Sequence, residues 1–211
     1  MVMPMSRTRI GVLASGGGTN LQAIMDSCDR EEINGDVVIV VSDNPNAFAL
    51  ERAKKKGIKA VAIPATGLKR EEHERIVNQH LLDEKVGLVV LAGYMRIMTP
   101  WIINQWLGRM MNIHPALLPS FGGKGMYKEH VHKAVLEHGC KISGCTVHFV
   151  IPEVDGGPII LQECVPVQEN DTPETLASRI HPVEHKLYPR AISLFADGKL
   201  KIEGRRVRIL E

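Results

Sequence analysis

The chain has 211 residues and a formal net charge of +2, and 24% of its residues are charged. Since 44% of the residues are hydrophobic, this length can form one large domain with a substantial core. The balanced charge argues against a nucleic-acid-binding protein, and no apolar run approaches the roughly twenty residues that cross a bilayer. The first residues do not read as a secretory signal, so we expect a cytoplasmic protein that does not bind membranes.

The cysteines indicate a reducing environment. Cys28, Cys140, Cys145 and Cys164 form no CxxC pair and no regular framework. We therefore expect mostly buried thiols, with neither disulfides nor a zinc site.

The first hundred residues alternate short apolar runs with helical patterns. Apolar runs predict buried parallel strands at residues 9–15, 37–42, 60–64 and 87–92. Two helix faces follow the i, i+3, i+4, i+7 spacing: Leu21, Ile24, Met25 and Cys28 in one helix, and His73, Ile76, Val77, His80 and Leu81 in another. This alternation is typical of βαβ units.

The second half begins with a fifth strand and then changes character. Residues 110–113 continue the parallel series, whereas residues 144–151 and 157–167 predict an antiparallel pair joined by a short turn. A charged stretch at residues 199–208 predicts a small hairpin. Together these patterns predict an α/β fold: a Rossmann-like, mostly parallel sheet with flanking helices and an antiparallel C-terminal extension.

A long helix is predicted near the end of the chain. Thr172 can cap its N-terminus, and Pro173 can occupy its first position, where the missing N–H costs nothing. Pro182 is expected to kink or interrupt this helix.

A glycine-rich loop lies between the first strand and the first helix. Residues 15–20 read SGGGTN, and bare backbone N–H groups at a helix N-terminus favour an anion. Leu21 replaces the glycine of the dinucleotide pattern, and the P-loop lysine is missing. The loop therefore predicts a phosphomonoester site, with a tight turn that holds no ligand as the alternative.

The fifth strand leads into the segment MNIHPALLPSF, which carries two polar side chains. Asn112 and His114 are two residues apart in a strand and therefore point to the same side. If Asp155 in the later DGGP turn folds back onto them, its charge would favour protonated His114 near neutral pH. An amide, an imidazolium and a carboxylate suggest acyl transfer by direct attack of a substrate amine. The alternative is an ordinary strand exit followed by a turn.

Loops that follow parallel strands meet at one edge of the sheet, so the loop after the fourth strand should face the same site. Residues 93–98, GYMRIM, combine apolar side chains with one arginine, which suits a flat heterocycle with a carboxylate tail. Core packing of the methionines is the alternative.

Several histidines raise the question of a metal site. His130 and His132 should point to different sides of a helix, and with His138 they complete no ligand set. We therefore interpret this segment as a surface helix and expect no metal. His148, in a strand, is interpreted as a satisfied or supporting histidine.

Six segments closely resemble the glycinamide ribonucleotide formyltransferase family, in the same order along nearly the whole chain: SGGGTNLQAI, LAGYMRIM, MNIHPALLPSF, GCTVHFV, DGGPII and VEHKLYP. That family transfers the formyl group of 10-formyltetrahydrofolate to the amine of glycinamide ribonucleotide in purine synthesis. The resemblance implies a single formyltransferase domain over residues 1–211, with a phosphate-binding half (about 8–110) and a catalytic, folate-binding half (about 111–211).

The resemblance also implies roles for individual residues. The catalytic group would be Asn112, His114 and Asp155. The ribonucleotide would contact Gly18, Thr19, Asn20 and Glu184. The folate would contact Arg70, Met95, Arg96, Ile97, Met98 and Asn112. The implied partners are these two small molecules, without a metal or a nucleic acid, and the protein would be a monomer or a homodimer.

Other functions remain open from the sequence. Related formyltransferases act on methionyl-tRNA or amino sugars, and a related hydrolase releases formate from the same folate. The chain length argues against the tRNA enzyme and the hydrolase, which are expected to carry additional domains. A catalytically silent folate- or phosphate-binding module is the alternative from a different class.

Overall fold

The structure, a computed structural model, describes residues 7–211. The strands are β1 (Thr8–Leu13), β2 (Gly35–Ser42), β3 (Lys59–Ala62), β4 (Leu88–Leu91), β5 (Met110–His114), β6 (Ile142–Phe149), β7 (Ile159–Pro166), β8 (Leu200–Glu203) and β9 (Arg206–Ile209). The helices are α1 (Thr19–Asp29), α2 (Phe48–Lys55), α3 (Arg70–Asp83), α4 (Pro100–Gln105), α5 (Glu129–Glu137) and α6 (Pro173–Ala196).

These strands form one sheet in the order β3-β2-β1-β4-β5-β6-β7-β9-β8. Strands β1 to β5 are parallel, and helices make the crossovers between them. Strand β6 then runs antiparallel to both β5 and β7, and β8 and β9 form the predicted hairpin beside β7. The predicted α/β fold with an antiparallel C-terminal part is confirmed.

The sheet has a hydrophobic core on each face. Ile10 and Val12 of β1 pack with α1, α2, α5 and α6, whereas Leu13 of the same strand packs with α3 and α4. This alternation buries the central strands on both sides, which is why they appear in the sequence as unbroken apolar runs.

The predicted face of α1 is confirmed, but that of α3 is only partly right. Ile76 is 41% exposed, and Glu74 and Asn78 are buried instead. Glu74 accepts a hydrogen bond from the backbone N–H of Thr99 (2.7 Å), and Asn78 accepts one from Nε1 of Trp106 (2.7 Å). The helix therefore turns polar side chains inward because residues in and beside α4 supply their hydrogen-bond partners.

Helix α6 begins as predicted. Thr172 caps it by accepting a hydrogen bond from the N–H of Thr175, and Pro173 is its first residue. Of the two effects expected of Pro182, the interruption is wrong, since the helix continues through Pro182 and Pro189 to its end, and the kink stays a prediction. Its buried face packs along the core, and tertiary packing of this kind offsets the backbone hydrogen bonds that the prolines lose.

A buried tyrosine fastens α6 to the sheet. The hydroxyl group of Tyr188 lies 3.0 Å from the carbonyl oxygens of Leu91 in β4 and Met111 in β5. This contact fixes α6 against the carboxyl end of β4 and the first half of β5. It thereby fixes the position of Glu184, one helical turn earlier.

The thiols are unpaired, but they are less uniformly buried than expected. Cys28 and Cys145 are buried, whereas Cys164 is exposed on β7. Within residues 7–211, no helix has the combination of length and apolar composition that a membrane span requires.

Candidate active site

A cavity of about 560 Å³ lies beyond the carboxyl ends of the parallel strands. It is lined by the loops that follow β1, β4 and β5, together with the turn between β6 and β7. Ligands of parallel α/β sheets bind at this edge, where adjacent crossovers leave a crevice. The segments that the sequence singled out therefore meet in one place.

The predicted catalytic residues meet in this cavity. Asn112 and His114 point the same way from β5, and Nδ1 of His114 lies 3.6 Å from Oδ2 of Asp155. His114 is only 4% exposed. Nε2 of His114 lies 2.8 Å from the carbonyl oxygen of Phe121. Because a carbonyl only accepts hydrogen bonds, Nε2 carries a hydrogen, and Nδ1 is the nitrogen that can exchange a proton with a ligand.

The turn that carries Asp155 depends on a close approach of two backbone segments. A Cβ atom on Gly157 would lie 1.7 Å from the carbonyl oxygen of Phe149, so only glycine fits. Oδ2 of Asp155 also accepts a hydrogen bond from the N–H of Gly123 (2.9 Å). The carboxylate is therefore held between His114 and the loop that follows β5.

His148 supports the amide of Asn112, which it opposes across the β5–β6 pair. Nδ1 of His148 donates to the carbonyl oxygen of Phe149 (3.0 Å), which leaves Nε2 to accept from Nδ2 of Asn112 (3.3 Å). Burial lowers the pKa of His148, which keeps the ring neutral in this role. The interpretation of His148 as a satisfied histidine is confirmed. The sequence could not show that Asn112 is its partner.

A hydrogen-bond cluster around the buried Thr146 holds the segment after His114. Oγ1 of Thr146 donates to the carbonyl of Ala116 (2.7 Å) and accepts from the N–H of Leu118 (3.0 Å). Nε2 of Gln162 bonds to the same hydroxyl and to the carbonyl of Leu118, both at 2.9 Å. The antiparallel strands β6 and β7 therefore hold the backbone beside the catalytic group.

The glycine-rich loop turns its carbonyl groups away from the cavity. These carbonyl oxygens accept hydrogen bonds as follows: Ser15 from Asn44 (3.4 Å), Gly16 from Ala49 (3.1 Å), Gly17 from Arg52 (2.8 Å) and Gly18 from Gln22 (2.9 Å). Within residues 7–211, no N–H group of residues 16–20 donates to a protein acceptor. The loop can therefore offer several N–H groups to one anion.

Glycine is required at the last position of this loop. Gly18 has a φ of 69°, and a Cβ atom there would lie 2.9 Å from Cα of Ala49 in α2. Gly18 is also the N-cap of α1, with no side chain covering the first N–H groups of the helix. The tight packing and the open helix end both favour an anion at this position.

Buried polar groups lie beside the glycine loop. Nδ2 of Asn20 donates to Oε2 of Glu184 (3.2 Å), and Oδ1 of Asn20 is buried without a partner among the described residues. Glu184 is 5% exposed, and burial raises the pKa of its carboxyl group. These acceptors suit a ligand that carries hydroxyl or amine hydrogens.

The loop after β4 also lines the cavity. Met95, Arg96, Ile97 and Met98 all line it, with Met98 buried and Ile97 41% exposed. One cationic side chain among apolar ones can bind a flat ring system together with an anionic group.

The comparisons with known proteins agree with this geometry. Residues 8–192 match the family described as "Formyl transferase". The chain is 43% identical to phosphoribosylglycinamide formyltransferase of Escherichia coli, over 92% of this chain and 89% of that protein. The chain belongs to this formyltransferase family. The predicted family is thereby confirmed, and the chain is an enzyme that transfers a formyl group.

Further relatives support the same assignment. The crystal structure of glycinamide ribonucleotide transformylase 1 from Symbiobacterium toebii is similar with a TM-score of 0.94 and 48% identity, covering 100% of this chain and 98% of that one. The trifunctional purine biosynthetic protein adenosine-3 of Bos taurus is 41% identical over 96% of this chain, which spans only 20% of the length of that protein.

Two residues of this formyltransferase differ from expectation. Arg70 is the first residue of α3 and does not line the cavity, so its folate contact stays a prediction. His132, interpreted as part of a surface helix, is only 3% exposed and lines the cavity. Helix α5 packs against α6, which places His132 on the buried face and leaves His130 exposed.

Burial lowers the pKa of His132 to about 4, from an ordinary value of 6.5. Between these pH values the unfolded chain binds more protons than the folded one. The stability contributed by neutral His132 is therefore present above about pH 6.5 and is lost as the pH falls towards 4. We expect a His132→Asn variant to lose stability less steeply over this window, as measured by urea unfolding at several pH values.

The exposed His130 provides the control for this measurement. A His130→Asn variant should keep the pH dependence of the unmodified protein, because this side chain is exposed to solvent. Some slope will remain in the His132 variant, since burial also lowers the pKa of His148. An unchanged slope in the His132 variant would contradict the prediction.

Proposed function

We propose that this enzyme transfers the formyl group of 10-formyltetrahydrofolate to the amine of glycinamide ribonucleotide, giving formylglycinamide ribonucleotide and tetrahydrofolate. The observation that carries the proposal is that Asn112, His114 and Asp155 line the same cavity as the glycine-rich loop and the loop after β4. A phosphorylated acceptor at the first loop and a folate donor at the second would meet at these three side chains. The names of the relatives support formyl transfer to a glycinamide ribonucleotide acceptor.

The acceptor is proposed to bind on the α1 side. N–H groups of Gly18, Thr19 and Asn20 bind its phosphate, helped by the N-terminus of α1. Glu184 and the unpartnered Oδ1 of Asn20 accept hydrogen bonds from the hydroxyl or amine groups of the acceptor.

The donor is proposed to bind in the slot formed by the loop after β4. Met95, Ile97 and Met98 pack against the ring system, and Arg96 and Arg70 pair with the carboxylates of the tail. Asn112 contacts the formyl group. In this proposal, residues 1–211 form one formyltransferase domain. The phosphate loop lies in its first half and the catalytic group in its second half.

The proposed reaction is a direct acyl transfer. The acceptor amine attacks the formyl carbon, and Nδ2 of Asn112 and Nδ1–H of His114 donate hydrogen bonds to the oxyanion that forms. When the intermediate collapses, the bond from the formyl carbon to N10 of the folate breaks, and the proton lost by the amine passes to N10. The carboxylate of Asp155 stabilises positive charge on His114 during these steps.

An absorbance assay tests the function. Purified protein is mixed with 10-formyltetrahydrofolate, with and without glycinamide ribonucleotide, and conversion of the folate is followed. Loss of the formyl group that depends on the acceptor is the expected result. Loss without the acceptor would indicate a hydrolase, and no loss would indicate a binding module or another acceptor.

Replacing Glu184 by alanine is expected to weaken acceptor binding. The change removes a buried hydrogen-bond acceptor and leaves Nδ2 of Asn20 without its partner. The KM for glycinamide ribonucleotide should rise about tenfold, which corresponds to about 1.4 kcal/mol, while the KM for the folate stays within twofold. Glu163→Ala, at an exposed position of β7, is the matched control. A larger effect on the folate than on the acceptor would contradict the placement of Glu184.

A further inference from the structure

Ser15 joins the glycine-rich loop to the loop after β4, and both loops line the cavity. Its hydroxyl group donates to Oδ1 of Asp43 (2.6 Å) and accepts a hydrogen bond from the backbone N–H of Met95 (2.9 Å). Its own N–H donates to the carbonyl oxygen of Gly93 (3.1 Å). Ser15 does not line the cavity, whereas its neighbour Gly16 and its partner Met95 both do.

The hydroxyl group of Ser15 both donates and accepts a hydrogen bond. Its single hydrogen points to Asp43, which leaves a lone pair for the N–H of Met95. The bond to a carboxylate is charge-assisted, and it polarises the oxygen so that the bond from Met95 is strengthened. The position of residue 95, where the donor slot begins, therefore depends on the residue that precedes the glycines of the acceptor loop.

We propose that Ser15 is a positioning residue that couples the two substrate sites, so that an acceptor bound to the glycine-rich loop tightens the binding of the folate. This inference rests on the proposed function, because it assigns the glycine-rich loop to the acceptor and the loop after β4 to the folate. An acceptor phosphate orders residues 16–20. Ser15 then restricts the motion of residues 93–95 through its hydrogen bonds to Met95 and Gly93. By linkage, the folate tightens acceptor binding by the same factor.

The test measures the dissociation constant of tetrahydrofolate, which carries no formyl group and cannot react, without and with saturating glycinamide ribonucleotide. The ratio of the first constant to the second is the coupling factor. In the unmodified protein, we expect the acceptor to tighten folate binding about fivefold or more. Ser15→Ala loses the hydroxyl bond but keeps the backbone bond to Gly93, so the coupling factor should fall to about two or less, and folate binding in the presence of the acceptor should weaken correspondingly. Ser15→Thr keeps the hydroxyl group and should restore most of the factor.

Asn44→Ala is the matched control. It removes a hydrogen bond to the carbonyl of Ser15 but none to the loop after β4. Acceptor binding should weaken in this variant, while the coupling factor stays that of the unmodified protein. Should Ser15→Ala fail to fold, Asp43→Asn, which weakens the same hydroxyl contact, takes its place and should lower the factor.

The outcomes separate this inference from the proposed function. A coupling factor of one in the unmodified protein, or an unchanged factor in Ser15→Ala, would overturn the role of Ser15 even if the turnover assay shows formyl transfer. Unmodified protein that shows no acceptor-dependent turnover would overturn the proposed function, whatever the factor.

Discussion

Replacing His114 by alanine should lower kcat at least about a hundredfold, the size of effect found when an oxyanion donor or a general acid is removed. The imidazole is the group whose Nδ1 faces the cavity, and its other nitrogen is occupied by the carbonyl of Phe121. Alanine removes the proposed hydrogen-bond donor to the oxyanion, and water cannot replace it with the same orientation. Initial rates at saturating concentrations of both substrates measure this loss.

The control for His114→Ala is His138, which directly follows α5. His138→Ala removes an exposed histidine whose ring bonds to the carbonyl of Ala134 in that helix, so turnover should stay within twofold. Thermal unfolding of both variants checks that the fold is intact. A folded His114→Ala protein with near-normal kcat would exclude His114 from the chemistry.

Replacing Asp155 by asparagine should also lower kcat about a hundredfold, because the negative charge beside His114 is lost while the loop stays in place. Oδ1 of an asparagine can still accept the hydrogen bond that Gly123 donates, so the loop remains anchored. The change therefore removes chiefly the negative charge 3.6 Å from Nδ1 of His114. Without this charge, positive charge on the imidazole is less stable in a site that is largely shielded from water.

Measuring kcat and KM separately distinguishes loss of the charge from displacement of the loop. Loss of charge should lower kcat while the KM for each substrate stays within about threefold. A displaced loop would instead raise the KM values, and Gly123→Ala, which disturbs the loop without altering Asp155, shows the size of that effect. An Asp155→Asn enzyme with normal kcat would remove Asp155 from the mechanism.

Where the sequence patterns erred, the errors have a common physical cause. Ile76 follows the helical spacing, yet it is exposed because residues in and beside α4 supply partners for the buried Glu74 and Asn78. His132 appears in a polar helix, yet it is buried because α5 packs on α6. In each case the partner element lies elsewhere in the chain, and no local pattern contains it.

The candidate site was predictable to the extent that its parts are local. The glycines before α1 and the two-residue spacing of Asn112 and His114 are properties of short segments, and parallel strands bring their following loops to one edge. The pairing of Asn112 with His148 is not local, because it depends on the register between β5 and β6.

The sequence by itself determined the order of the elements, the edge of the sheet at which the loops of the candidate site meet, and the family to which the chain belongs. Periodicity and glycine placement act over a few residues, and the parallel crossovers then leave little choice of topology. Only the tertiary structure decided which polar atoms face each other. The pairing of Asn112 with His148, the partnership of Asn20 with Glu184 and the bridge made by Ser15 all join distant segments, and contacts at hydrogen-bond distance depend on packing that no single segment encodes.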